Sequence, residues 1–137
     1  MASTGLVEIG SHTHNNHKNL VKFLHQKKTI SEKRRRLYGI YKDLCQSRRL
    51  LKKRLGIELV SLAWPHGKED RHLIYAAKKA GFKQVFNTRY GINLYRKKSL
   101  FRLKRISASS PWLTAEALLA RMNQVSGGKK YCMASHE

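Results

Sequence analysis

The stretch Glu8-Ile9-Gly10-Ser11-His12-Thr13-His14-Asn15-Asn16-His17-Lys18-Asn19-Leu20 joins a short apolar run to a crowd of imidazoles. Leu6 to Ser11 reads as a strand. His12, His14 and His17 follow it, with Asn15 and Asn16 between. Neutral imidazole is the commonest protein ligand for zinc. Spacing leaves three pairings open. His12 and His17 lie ~140° apart on a straight helix and could not share an ion there. In a loop that turns back after a strand they can. His14 and His17 suit a helix turn, and His12 and His14 suit one face of a strand. The plain alternative is a polar loop with solvent-exposed histidines. A catalytic zinc site takes three protein ligands and a water, so two histidines do not complete one.

Outward from this stretch the chain alternates strands and helices. Gly5 looks like the glycine that ends a helix before a strand, which suggests that Met1 lies inside a domain. Thr29-Ile-Ser-Glu32 fits a capping box. A long helix is expected from there to Leu55, stopped by Gly56. Leu37, Tyr41, Leu44, Leu51 and Leu55 form its apolar stripe. Ile57 to Trp64 reads as a buried strand, broken by Pro65-His66-Gly67. Glu69 to Ala80 reads as a helix with Leu73, Ile74, Ala76, Ala77 and Ala80 inward, ended by Gly81. Phe82 to Thr88 is the next strand, Gly91 a turn, and Phe101 to Ile106 a short strand. A last helix starts at Ser110-Pro111 or Thr114 and reaches about Met122. The order predicts an α/β fold with a parallel sheet. Residues 1–124 form one domain, and 125–137 a polar, disordered tail.

Composition narrows the classes. The 137 residues carry 29 Lys and Arg against 8 Asp and Glu, a formal charge of +21. No apolar run approaches the ~18 residues of a membrane span, and no leader of the secretory type is visible. Cys45 and Cys132 make neither a disulfide framework nor a zinc knuckle. The charge points to an acidic partner without naming it. The helix from Lys33 to Arg54 offers an anion-binding surface. Its bland reading is a solvated face whose stems lie over apolar neighbours. Tyr38 and Tyr41 lie on or near the apolar stripe and are expected in the core. His25, His72 and His136 are isolated and expected at the surface. Ala63-Trp64-Pro65-His66-Gly67 ends a strand, where α/β sites gather; taken without further context, an ordinary Pro-Gly turn with a packing aromatic is the favoured reading.

The segment from Glu8 to Leu20 closely resembles the histidine motif of the polysaccharide deacetylases (the NodB-homology, carbohydrate esterase family 4 domain). Leu62-Ala63-Trp64-Pro65-His66-Gly67, a helix, then Ala80-Gly81-Phe82 resembles that family's next block. Order and spacing agree over about residues 5–106. The resemblance implies a partial irregular (β/α) barrel of the polysaccharide deacetylase type, its N-terminal strands missing. It implies metal-dependent hydrolysis of N-acetyl groups from an amino-sugar polysaccharide, with zinc or another divalent metal polarising the acetamide carbonyl. His12 and His17 become the metal ligands, as in a subgroup with five-residue spacing, and His14 is not one. Trp64, Pro65 and His66 line the substrate site.

The departures are specific. The family's opening Asp-Asp pair, its catalytic base and third ligand, is absent; Asp43 and Asp70 fall in predicted helices. Ala63 stands where the family has arginine, and His66 where it has an aromatic residue. No late Leu-x-His block follows. The expectation is therefore a truncated domain, incomplete and inactive alone, without catalytic residues of its own and with an incomplete zinc site. Its partner by family is an N-acetylated polysaccharide. The rival reading is a non-enzymatic basic module binding nucleic acid or an anionic surface; a third is a carbohydrate-binding remnant. Compartment is left open.

Overall fold

The structure, a computed structural model, describes residues 8–26, 29–91, 93, 100–105 and 114–125. In chain order the helices are α1 (Leu20–His25), α2 (Ile30–Leu55), α3 (Arg71–Lys79) and α4 (Ala115–Val125); two strands, β1 (Ser61–Ala63) and β2 (Gln84–Phe86), flank α3. None of the described helices is long and apolar enough to cross a membrane.

The 26-residue α2 forms where its sequence signals stand. Thr29 caps it, its hydroxyl taking the Glu32 N–H while the Glu32 carboxylate reaches back to the Thr29 N–H. Gly56 ends it in the left-handed region, at φ 69°. The buried line runs Ile40, Leu44 and Ser47. Leu37 and Tyr41 pack against the core only in part, and Leu55 is exposed. The expected stripe thus holds fully at Leu44 and in part at Leu37 and Tyr41, and fails at the exposed Leu55. Tyr38 is 58% exposed, so it is not a core residue.

α3 matches expectation closely. Asp70 is its N-cap rather than an interior residue, accepting the His72 and Leu73 N–H groups at 2.9 Å each. Leu73, Ala76 and Ala77 are buried against α2 and the sheet. α1 was not anticipated. Asn19 caps it by accepting the Lys22 N–H at 3.0 Å, and it buries Leu20 and Leu24. Each of these leucines contributes on the order of 1.5–3 kcal/mol by leaving water.

β1 and β2 pair in parallel, Leu62 opposite Val85. Parallel bridges extend the sheet on both sides, Ser11 to Leu62 and Phe86 to Leu103. The expected strands therefore lie side by side in the order Ser11, β1, β2, Leu103, but each is shorter than predicted. Val60 still pairs, its carbonyl accepting the Lys83 and Gln84 N–H groups at 2.8 and 3.1 Å, while Ile57 to Leu59 falls outside the ladder. There Arg48 of α2 takes over, its guanidinium donating to Leu59 O at 3.0 Å and Ala80 O at 2.6 Å. Ser11, Leu62, Val85 and Leu103 are buried on one face. Ser11 marks that face as the helical one, since its hydroxyl meets the Ser47 hydroxyl at 2.7 Å. The opposite face carries Ser61, Ala63, Gln84 and Phe86, with Gln84 Nε2 donating to Glu8 at 3.1 Å.

α4 begins after Thr114, whose hydroxyl accepts the Ala117 N–H at 3.2 Å, and runs past Met122. Leu6 and Val7, Ile106, Ser110-Pro111, His136 and the tail beyond Val125 lie outside the described residues.

Candidate metal centre

The histidine loop starts where the Ser11 bridge ends. Ser11 N–H donates to Ser61 O and Ala63 N–H to Ser11 O, both at 2.9 Å, which fixes His12 at the carboxyl edge of the sheet. His12 Nδ1 lies 2.8 Å from Ala63 O. A carbonyl oxygen only accepts, so Nδ1 carries a proton, and in the neutral imidazole Nε2 is left with the lone pair. The chain then reverses. Thr13 holds φ 73°, a costly conformation for a β-branched residue. Asp43 of α2 accepts the His14 and Asn15 N–H groups at 2.8 Å each, one with each carboxylate oxygen. The reversal brings His17 Nε2 to 3.2 Å from His12 Nε2.

Of the three pairings that spacing left open, the structure brings His12 and His17 together. His14 turns instead to a cleft along α2. His66 joins the pair from the next loop, its ring centroid 5.6 Å from that of His17. It is exposed and held at φ 55°. Gly67 follows at φ 61° in a space where a Cβ would lie 2.0 Å from Thr88 Oγ1. Trp64 and Pro65 are buried. Of the three expected lining residues, His66 alone therefore offers its side chain to the histidine pair. Ala63, in the position expected for arginine, contributes its carbonyl instead.

Two imidazole nitrogens on one tetrahedral zinc, each at 2.0–2.1 Å, stand about 3.3–3.4 Å apart. The observed 3.2 Å between the two Nε2 atoms fits that separation. The Nδ1–H to carbonyl bond is the outer support such ligands ordinarily have. Among the described residues, however, no group of three His, Cys, Asp or Glu side chains converges as a metal cage. Asp43 is committed to the loop backbone and Asp70 to the start of α3, so neither replaces the family's aspartates.

Asp70 gathers a second cluster. His25 Nε2 lies 2.5 Å from its Oδ2, and the His25 and His72 rings are 6.0 Å apart. These two histidines are thus not isolated; they meet across the α1–α3 junction. Burial raises the Asp70 carboxyl, but the Leu73 N–H and the contact with His25 outweigh it, and the net displacement is below the ordinary aspartate value. Sequence gave no sign of this, because Asp70 is 45 residues from His25.

The sheet edge, the imidazole pair and the helical cover make a partial α/β unit with a candidate metal site at the carboxyl edge of its strands. The profile of the polysaccharide deacetylase family matches residues 1–85, and the chain belongs to that family. Solved structures agree in fold. IcaB from Ammonifex degensii superposes with a TM-score of 0.65 at 21% identity, over 95% of this chain and 50% of its own. A de-N-acetylase from Aggregatibacter actinomycetemcomitans gives 0.61 at 23%, over 87% of this chain and 50% of its own. The Streptococcus pyogenes deacetylase PplD, solved in complex with acetate, gives 0.62 at 24%, over 82% of this chain and 43% of its own. This chain thus spans half the length of these structures or less. No curated protein matches it.

Proposed function

We propose that this chain supplies the metal-ligating histidines of a de-N-acetylase acting on an amino-sugar polysaccharide. The observation that carries the reading is the 3.2 Å between His12 Nε2 and His17 Nε2, with His12 Nδ1 tied to the Ala63 carbonyl. His12 and His17 would hold a divalent metal, zinc by preference for two imidazoles. A bound zinc supplies Lewis-acid polarisation of the acetamide carbonyl. The chain's own residues then act by position. Ala63 O fixes the His12 tautomer, Asp43 fixes the loop that returns His17, and His66 lines the adjacent space. The base and the third ligand have no counterpart among the described residues, and in this reading residues 1–137 alone release no acetate.

Zinc titration by calorimetry tests this. One zinc per chain is expected, with affinity falling in His12→Gln, and again in His17→Gln, by more than the ~10–100-fold that loss of a ligand's outer support costs. Unchanged affinity in both variants sinks the assignment. Acetate release from an N-acetylglucosamine oligomer by the chain alone would overturn the claim that it releases none. The rival basic-module reading is weakened by the work its arginines already do: Arg36 donates to Phe23 O and Gln26 O, and Arg48 to Leu59 O and Ala80 O.

A further inference from the structure

Not all of the positive charge is absorbed this way. Between the histidine loop and α2 runs a cleft of about 540 Å³, with Asn15 and Asn16 on one wall and Lys42, Gln46 and Arg49 on the other. A second cleft of about 360 Å³ continues it past Arg35. Asn16 and Gly39 border both, so the two are contiguous. On α2 the stripe Arg35, Gly39, Lys42, Gln46, Arg49 advances by alternating four and three residues. That keeps one face in line for ~21 Å at 1.5 Å per residue.

Gly39 is the telling residue. Glycine inside a helix costs ~1 kcal/mol relative to alanine. Among the described residues nothing requires it, since a Cβ there would meet no atom within 4 Å. The bare backbone keeps the floor of the groove low at the point where the two clefts join. The acid that borders the groove, Asp43, has both oxygens committed to the His14 and Asn15 N–H groups. Asp43 keeps its charge, but Arg35, Lys42 and Arg49 outnumber it along the groove, whose potential is therefore positive.

We infer that this groove binds an acidic glycan strand and leads it past the histidine loop. The inference rests on the de-N-acetylase reading and narrows its substrate to an N-acetylated polysaccharide that also bears carboxylate or other anionic groups. Two features favour a glycan over a nucleic acid. The walls offer amides, each with donors and an acceptor suited to hydroxyl and acetamido groups. Among the described lining residues the only uncovered ring is that of His14, against the run of aromatic faces on which single-stranded nucleic acid sites stack successive bases. Phe23, at the second cleft, is covered by Lys18 at 3.6 Å and Arg36 at 4.6 Å. Tyr38, Tyr41 and Tyr75 border a separate hollow, between α2 and α3.

The test is fluorescence anisotropy on the full chain at ~50 mM salt, where charge contacts are strong. The probes are a labelled hyaluronan oligosaccharide, a chitin oligosaccharide of equal length and an oligo-dT strand. The acidic glycan should bind about 10-fold tighter than the neutral one, as two or three exposed charge contacts allow. Lys42→Gln with Arg49→Gln should remove that preference. Gly39→Leu, which favours the helix and changes no charge, should weaken binding by blocking the floor. Lys53→Gln with Arg54→Gln, equal in charge but off the groove, should cost less than the groove pair. Equal binding of the neutral glycan overturns the proposal, as does an equal loss in the off-groove pair. Displacement of hyaluronan by oligo-dT through the same residues assigns the groove to nucleic acid instead. Zinc is titrated in parallel. Zinc binding without acidic-glycan preference sinks the groove alone; acidic-glycan binding without zinc sinks the deacetylase reading alone.

Discussion

Asp43 Oδ2 accepts the backbone N–H of His14 at 2.8 Å, across 29 residues of sequence. With Asn15 N–H on the other oxygen, one carboxylate of α2 holds the turn that returns His17 to His12. Asp43→Ala leaves both N–H groups without this acceptor, at a cost of about 1–3 kcal/mol. It should also loosen the histidine pair, and outer support of this kind is ordinarily worth about 10–100-fold in metal affinity. Asp43→Asn, which keeps one acceptor oxygen, should fall between. Calorimetric zinc affinity beside a urea midpoint checks this. A stability loss with unchanged zinc affinity would separate Asp43 from the site.

The junction of α1 and α3 carries a pH dependence with a defined sign. The Asp70 carboxyl titrates below the ordinary aspartate value, so its ionised form is favoured by folding. Its contribution is present in full above about pH 3.9, the ordinary unfolded value, and is lost as pH falls through the lower folded one. Asp70→Asn keeps an N-cap oxygen and removes the charge. It should cost about 1 kcal/mol at pH 7, as cap and helix-end charges do. The gap between wild type and variant should close as pH falls below about 4. Urea midpoints from pH 6 downward measure it; a gap that stays constant through that range rejects the account.

The parts of the fold that could be read from sequence are those with local causes. Thr29, Glu32 and Gly56 mark the ends of α2 because caps act within one turn, and Leu73, Ala76 and Ala77 reveal the inner face of α3. The strands were overextended because an apolar run such as Ile57 to Trp64 does not say where pairing begins. α1 was hidden among His, Asn and Lys, though Asn19 followed by Leu20 and Leu24 carried a cap and an i, i+4 pair. The His12–His17 pairing came from family resemblance; spacing left it open. Its supports, the Ala63 carbonyl and Asp43, are distant in sequence and became visible only once the chain was folded. The Trp64 ring is buried in the core, which agrees with the reading of Trp64 to Gly67 as a Pro-Gly turn with a packing aromatic; its place in the substrate site came from the family resemblance.

Gly67 should not tolerate a side chain. Its φ of 61° disfavours any other residue, and an added Cβ would sit 2.0 Å from Thr88 Oγ1 and 2.5 Å from Thr88 Cβ. Gly67→Ala is expected to cost about 2–3 kcal/mol, combining positive-φ strain with overpacking. Thr88→Gly in the same chain should recover the packing part and leave the backbone part. Thermal or urea unfolding of the single and double variants checks the coupling. Strict additivity of the two substitutions would mean that the two residues do not meet.

Glu69 ties the α3 loop to the far side of the sheet. Its side chain is 3% exposed, and its Oε1 accepts from Asn87 Nδ2 at 3.0 Å while Arg102 Nε stands at 3.9 Å. Asn87, itself buried, also receives the Arg89 N–H at 2.9 Å and donates its own backbone N–H to Leu103 O at 2.8 Å. Removing the carboxylate therefore strands a buried amide, while the exposed guanidinium of Arg102 keeps its water. Glu69→Ala should cost about 2–4 kcal/mol, most of it from the unpaired Asn87. Glu69→Gln keeps an acceptor for Asn87 and loses only the attraction of an exposed arginine, so it should cost under about 1 kcal/mol. If glutamine costs as much as alanine, the charge rather than the Asn87 hydrogen bond holds the loop. An Arg102→Gln variant would then reproduce the loss.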